Sequence, residues 1–146
     1  MLTFALAVAA CHAAATAPPI NATIAVQSAT LLQLFDSATW PTRTWSRAAL
    51  QQSDAALYCS GAFDGIVCNG QFLVTALQLS ALNVVGALPD AILSGLAASL
   101  LLLDVGANRN LRFNFTAALE LCGGVTSCAN LQVVDASGGV AVELNA

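Results

Sequence analysis

A pattern of aliphatic residues recurs three times in the second half of this 146-residue chain. Leu77, Leu103 and Val134 are equivalent positions, separated by 26 and 31 residues, and each begins an aliphatic-x-aliphatic triplet. Segments in register at such a period indicate a repeat architecture, in which each unit buries its apolar side only by stacking on its neighbours. The longer second interval predicts an insertion around Leu121 to Cys128.

The triplets predict short strands, in which alternate side chains point to opposite faces. Leu77 and Leu79 and their equivalents should point into the core. Asn108 should turn inward at a strand exit and satisfy backbone groups there. The intervening residues should form an exposed surface of three rows, which are Ala76, Leu102 and Val133, then Gln78, Asp104 and Asp135, then Ser80, Gly106 and Ser137.

Helical and turn patterns precede the repeats. Apolar spacing predicts a helix from Asn21 to Phe35, and a second short helix from Ser46 to Leu57 with Ser46 as its N-cap. The stretch from Tyr58 to Cys68 is typical of a small disulfide-closed hairpin or turn. Trp40 and Trp45 lie between the helices, where packing inside this region is favoured over a ligand platform.

Two sequence motifs carry a family resemblance. The stretch from Leu82 to Pro89 is similar to the L-x-G-x-(I/L)-P segment of plant-type leucine-rich repeats. The stretch from Cys59 to Cys68, followed by Val74 and Leu77, resembles the N-terminal cap pattern C-x-W-x-G-V-x-C and V-x-x-L-x-L, with Phe63 in place of the Trp.

Two shorter matches accompany these motifs. Leu31-Leu-Gln-Leu-Phe35 is similar to the leading helix of the cap. Ser127-Cys-Ala-Asn-Leu131 is similar to the usual entry into a repeat strand. The resemblance implies an α/β leucine-rich-repeat solenoid, with a short parallel sheet on its concave face and a helical, disulfide-closed N-terminal cap. The alternative is an apolar α/β domain with coincidental Leu spacing.

The predicted boundaries follow from this resemblance and from the N-terminus. Residues 1–17 have an apolar core, then small residues and an Ala15-Thr-Ala17 site, which is typical of a secretory signal peptide. An uncleaved anchor or an N-terminal helix is the alternative. Residues 18–72 are expected to form the cap, and residues 73–146 about three repeats, the last incomplete.

Three features favour a secreted or cell-surface location, with a membrane anchor conceivable in a longer form. The first is the signal peptide, and the second is a pair of glycosylation sequons at Asn21 and Asn114. The third is an even number of cysteines after residue 17, namely Cys59, Cys68, Cys122 and Cys128. Four cysteines allow three pairings, of which the local one (59 with 68, 122 with 128) is favoured because each bond closes a short loop. Cys128 as a free buried thiol is the alternative.

Composition excludes several classes of function. Charged residues make up 8% of the chain, the net charge is −4, and there is no Lys. Four Arg among eight acids form no phosphate-neutralising surface, so no nucleic-acid partner is expected. The only His falls in the predicted signal peptide, which removes the commonest general base and metal ligand from the mature chain. No enzyme activity, metal or cofactor is therefore predicted, and the Asp104–Asp135 pair is interpreted as a solvated or ligand-contacting stripe rather than a catalytic pair.

The sequence thus predicts a non-catalytic extracellular recognition module that binds a protein, peptide or glycan. The expected ligand-binding residues on the concave face are Gln78, Ser80, Asp104, Asp135 and Ser137. The alternative is a structural N-terminal part of a longer leucine-rich-repeat receptor or surface protein, without its own ligand. In either case further repeats or a partner chain are expected to cover the C-terminal end of the stack.

Overall fold

The computed structural model describes residues 20–123 and 128–143, so the predicted signal peptide lies outside the described residues. The fold is α/β, with two four-stranded, mostly parallel sheets and several short helices. Within the described ranges, no helix is long and apolar enough to cross a membrane.

Sheet I contains the three strands that the aliphatic triplets predict. Its order is β2 (Ile66–Cys68), β3 (Val74–Gln78), β5 (Leu102–Asp104) and β7 (Val133–Asp135). The last three are parallel to one another, and β2 is antiparallel to β3. The strands are short because each lies at the same point of successive chain reversals.

Sheet II was not predicted from the sequence. Its order is β1 (Ala38–Thr39), β4 (Val85–Ala87), β6 (Asn110–Asn114) and β8 (Ala141–Glu143). Again the last three strands are parallel and the first is antiparallel to its neighbour. In both sheets an antiparallel strand from the N-terminal region therefore borders the parallel strands.

From β3 onward the chain alternates between the two sheets, so that each parallel strand of sheet I is followed by one of sheet II. The return from β4 to β5 contains two 3-10 turns, Asp90–Ile92 and Ser94–Leu96. Pro89 precedes the first turn, where its missing N–H costs nothing. The return from β6 to β7 contains α4 (Phe115–Leu121), so the extra residues of the longer interval lie away from sheet I.

The N-terminal helices follow the predictions in part. The first prediction is confirmed by α1 (Ile20–Ser37), which buries Leu31 and Leu34 completely. The second predicted helix is wrong in its length, since it is divided into α2 (Arg47–Gln51) and α3 (Ala55–Tyr58). The residues at the break explain it: Ser46 caps α2 as predicted, Ser53 has a φ of 54°, and Asp54 caps α3.

Aromatic side chains form the core of the N-terminal region. Trp40 and Trp45 meet edge to face at 5.0 Å, and Trp45 stacks on Phe63 at 5.9 Å. Both indole N–H groups donate to Asp64, from Trp40 to its carboxylate and from Trp45 to its carbonyl. The two Trp are 5% and 6% exposed, so packing rather than a ligand platform is their role.

A buried polar cluster joins α1 to α3 and to sheet I. The Gln27 amide donates to the Tyr58 hydroxyl at 2.9 Å and to the Phe72 carbonyl at 3.0 Å, and it accepts from the Val74 N–H at 2.7 Å. Ser28 contacts the same hydroxyl at 2.9 Å. Gln27 thus satisfies the buried N–H of Val74, the first residue of β3, and also bonds the Phe72 carbonyl just before it.

Both predicted disulfides are present. Cys59 pairs with Cys68, and Cys122 pairs with Cys128. The first bond joins the end of α3 to β2, which corrects the predicted local hairpin, because β2 pairs with β3 instead. Cys128 is 5% exposed and disulfide-bonded, so it is not a free thiol.

Candidate recognition surface

The outward face of sheet I carries the predicted row of polar residues. Gln78 pairs with Asp104 across β3 and β5, and Asp104 pairs with Asp135 across β5 and β7. Three residues that are distant in sequence therefore stand side by side, about 4.8 Å apart from strand to strand. Gln78 and Asp135 are exposed and Asp104 is half-buried.

The opposite side of the same strands explains why this row faces outward. Leu77 and Leu103 are adjacent in register and fully buried, as are Leu79 and Val105 two residues further on. Because side chains alternate along a strand, burial of these residues turns their neighbours to solvent. The inward positions are confirmed for β3 and β5. Of the outward positions, Gln78 is exposed and Leu102 and Asp104 are half-buried, whereas Ala76 is only 8% exposed, which corrects the expectation for this position.

The strand pairing continues beyond the assigned strand ends. The N–H groups of Leu79 and Ala81 donate to the Asp104 and Gly106 carbonyls at 2.7 and 3.0 Å, and the Ala107 N–H donates to the Ser137 carbonyl at 2.8 Å. The third predicted row (Ser80, Gly106 and Ser137) therefore stays in register. Ser80 is half-buried, Gly106 buried and Ser137 exposed.

Asn108 holds the strand exits together, as predicted. Its side-chain amide is fully buried and donates to the Leu79 and Val105 carbonyls at 2.8 Å each, and to the Gly106 carbonyl at 3.1 Å. Its Oδ1 accepts from the Val84 N–H at 2.9 Å. One side chain thus fixes two successive chain reversals and, through them, the spacing of the polar row.

The two carboxylates of the row are oriented by their own strands. Asp104 Oδ1 accepts from the Gly106 N–H at 3.2 Å. Asp135 Oδ1 accepts from the Ser137 hydroxyl at 2.7 Å and from the Ser137 N–H at 3.0 Å. The hydroxyl and then the N–H of Ser137 lower the pKa of Asp135 below its ordinary value. Asp135 therefore stays ionised at neutral pH.

Gly106 leaves a depression between these carboxylates. A Cβ built on Gly106 would lie 3.1 Å from Asp135 Oδ1 and 3.5 Å from Asp104 Oδ1. Both oxygens therefore border the same small space, which any side chain at this position would fill.

An apolar row runs beside the polar one and is longer than the sequence predicted. Val67 pairs with Ala76, Ala76 with Leu102, and Leu102 with Val133, so the row crosses all four strands of sheet I. Val67 was missed because its strand was interpreted as part of a local hairpin. The available signal was its β-branched side chain beside Ile66, which is typical of a strand.

No family model and no curated protein matches this sequence. The surface must therefore be interpreted from its own geometry. In the described part of the chain, no three His, Cys, Asp or Glu side chains are grouped in a way that could hold a metal ion. The polar row offers hydrogen-bond acceptors and negative charge.

The two sequons lie in different environments. Asn21 is exposed in the first turn of α1. Asn114 ends β6 and caps α4, where its Oδ1 accepts from the Ala117 N–H at 2.9 Å. Asn114 is half-buried, and the cap uses Oδ1, whereas Nδ2 is the atom to which a glycan would be attached.

Proposed function

We propose that this chain is an extracellular or cell-surface leucine-rich-repeat module that binds a protein, peptide or glycan through the outward face of sheet I, without catalysis. The observation that carries the proposal is the register of Gln78, Asp104 and Asp135, which stand in one row although 26 and 31 residues separate them in sequence. A surface built from equivalent positions of successive units is the usual binding surface of stacked repeats.

The topology supports the solenoid part of this proposal. Each passage of the chain adds one strand to sheet I and one to sheet II, in parallel register with the strands before it. Repetition of the same path with parallel neighbours generates a coil. Asn108 supports it further, because a buried amide that bonds the backbone of two successive passages is what such a coil requires at its turns.

The proposed location rests on the disulfides. Two bonded pairs in one small chain are typical of proteins that fold in an oxidising compartment such as the secretory pathway. The predicted signal peptide and the sequons at Asn21 and Asn114 point to the same route. In the structure, Asn21 lies in α1 and Asn114 lies at the end of β6.

A binding screen tests the recognition role. The secreted chain is presented to a random peptide library and to a glycan array, together with the triple variant Gln78→Ala, Asp104→Ala and Asp135→Ala. The control is Asn110→Ala with Arg112→Ala, two exposed residues on sheet II. The triple variant should lose affinity for the selected ligands at least tenfold, and the control should retain it. Equal affinity of the wild type and the triple variant would remove the polar row from the proposal.

A second candidate function has its own observation. Val134 and Ala136 are only half-buried, whereas their equivalents Leu103 and Val105 in the preceding strand are fully buried. Val142 of β8 is 40% exposed. The aliphatic positions of the last described strands thus lack the cover that an additional unit gives to the others. This favours a structural N-terminal part of a longer repeat protein, in which further repeats cover this end.

A fusion experiment distinguishes this candidate. One further repeat with a polar outer side is joined after Ala146, and a Gly-Ser segment of equal length serves as the control. If covering this end is the structural role, the added repeat should raise the melting temperature by several degrees and the control segment should not. Equal melting temperatures would contradict it.

A further inference from the structure

The outward face of sheet I combines two rows with different chemistry. The apolar row consists of Val67, Ala76, Leu102 and Val133, one residue from each strand. Val67 is 43% exposed and Val133 is 50% exposed, at the two ends of the row, while Leu102 is half-buried and Ala76 is only 8% exposed. Three strand spacings give the row a length of about 14 Å. The row is apolar on every strand and is exposed mainly through Val67 and Val133, and apolar surface of this kind is used for contact with other molecules.

The neighbouring polar row is negative and lacks a counter-charge. Asp104 and Asp135 occupy paired positions on adjacent strands, where like charges repel each other. Neither carboxylate forms an ion pair with an arginine in the described ranges, and the chain contains no lysine. Both charges therefore lack a cationic partner within the described ranges, and the hydrogen bonds from Ser137 favour the ionised form of Asp135.

The carboxylates are also available to a ligand. Each uses its Oδ1 for a hydrogen bond to the backbone two residues further on, which fixes its orientation. Gly106 keeps the space between them open, since a Cβ there would contact both Oδ1 atoms. A ligand group that enters this space would meet the two Oδ1 atoms as acceptors. The apolar row lies two residues before the carboxylates along the strands.

Resting on the proposed recognition function, we infer that the ligand is a polypeptide segment that lies across the strands and carries apolar side chains beside arginine or lysine side chains. The apolar side chains cover the row from Val67 to Val133. The cations lie over Asp104 and Asp135 and compensate charges that have no partner within the described chain. Charge complementarity selects this occupant, because an acidic ligand would add to the repulsion and a purely apolar one would desolvate the carboxylates without compensation.

Three matched peptides test this inference. They are 12-residue, end-blocked, fluorescently labelled peptides with leucines at the same positions, and their remaining positions are all Arg, all Gln or all Glu. Binding to the secreted chain is measured by fluorescence anisotropy at low and high salt. The Arg peptide should bind about five- to tenfold more tightly than the Gln peptide, the Glu peptide should bind most weakly, and added salt should reduce the difference.

Two pairs of protein variants locate the effect. Asp104→Asn with Asp135→Asn should abolish most of the preference for Arg over Gln. Asp90→Asn with Glu120→Gln changes the net charge equally at exposed positions outside both sheets, and should leave the preference intact. Val133→Ser should weaken the binding of the Arg peptide and of the Gln peptide to the same extent. All variants are checked for unchanged melting temperature within about 2 °C, so that a loss of binding is not a loss of fold.

The outcomes separate the inference from the function on which it rests. If the Gln or Glu peptide binds as tightly as the Arg peptide and Val133→Ser weakens this binding, sheet I is a recognition surface but the inferred preference for a cationic ligand is wrong. If the control pair abolishes the Arg preference as strongly as the Asp104 and Asp135 pair, the effect is one of net charge and the inference is overturned. If binding of the Arg peptide is unchanged by every variant on sheet I, the recognition surface itself is misplaced. Absence of binding by all three peptides also overturns the inference, while the library and array screen still tests the function.

Discussion

Replacement of Asn108 should be among the most destabilising single substitutions in the chain. Asn108→Ala removes the acceptor of the Val84 N–H and the donor to the Leu79 and Val105 carbonyls, all at 2.8 to 2.9 Å. The Gly106 carbonyl keeps another partner, because it also accepts from the Ala81 N–H at 3.0 Å. The substitution therefore affects three buried backbone groups.

The magnitude follows from the cost of leaving such groups without partners. A buried donor or acceptor that loses its hydrogen bond costs about 1–3 kcal/mol, and neighbouring losses are not fully additive. We expect the free energy of unfolding to fall by about 3–5 kcal/mol, which is a large part of the roughly 5–15 kcal/mol available to a domain. The corresponding decrease in melting temperature is roughly 10–20 °C.

Urea and thermal unfolding of the secreted chain measure this change. Asn110→Ala is the matched control, because Asn110 is exposed and lies two residues away on β6, and it should change stability by less than about 0.5 kcal/mol. Asn108→Asp should be at least as damaging as alanine, since it keeps an acceptor for Val84 but turns a carboxylate toward two carbonyls. An Asn108→Ala variant within 1 kcal/mol of the wild type would refute the role assigned to this side chain.

Three further predictions concern the N-terminal region and the surface. The double variant Cys59→Ser with Cys68→Ser opens a loop with a sequence separation of 9. In urea unfolding, the free energy of unfolding should fall by about 2.5 kcal/mol, and an unchanged urea midpoint would contradict a stabilising role of this disulfide. Burial alone would raise the pKa of Asp64, but hydrogen bonds from Thr44 and Trp40 outweigh it and lower the pKa. The stabilisation that ionised Asp64 provides should therefore be fully present above about pH 4, and it should be lost as the pH falls through the pKa of Asp64 in the folded state. Asp64→Asn should accordingly flatten the decrease in melting temperature between about pH 5 and pH 3. Removal of N-glycans should increase the mobility of the secreted chain in two steps that disappear with Asn21→Gln and Asn114→Gln, and absence of both steps would show that neither sequon is used.

The parts of the fold that could be predicted are those in which the local pattern and the tertiary environment agree. Leu77 and Leu103 are each followed by one polar residue and a second aliphatic residue, and both are fully buried. Asn108 follows the second triplet at the position where a strand must exit, so its inward role could be predicted from spacing. The polar row followed from the same alternation, because fixing the buried face of each strand also fixes its exposed face.

The parts that could not be predicted depend on partners far away in sequence. Gln27 stands in a helix and resembles any polar helical residue, yet its amide meets Val74, 47 residues further on. Sheet II gives a weak signal, since β4 contains Gly86 and β1 has only two residues, although β6 alternates polar and apolar residues and this alternation was missed. Gly86 has a φ of 123°, and a Cβ there would lie 2.3 Å from the Ser37 carbonyl, so this strand pairing requires glycine for close approach. Only the tertiary arrangement reveals that requirement.

The unequal spacing of the three aliphatic triplets shows why the outward face of sheet I tolerates insertions elsewhere. The interval from Leu103 to Val134 is five residues longer than the one before it, yet Asp104 and Asp135 remain paired without a register shift. The return of this longer interval contains α4 and the Cys122–Cys128 disulfide, whereas the preceding return contains two 3-10 turns. A shift of one residue within a strand would instead turn its aliphatic residues to solvent. Burial of the aliphatic positions therefore fixes the register of sheet I, and the register alone places the carboxylates side by side.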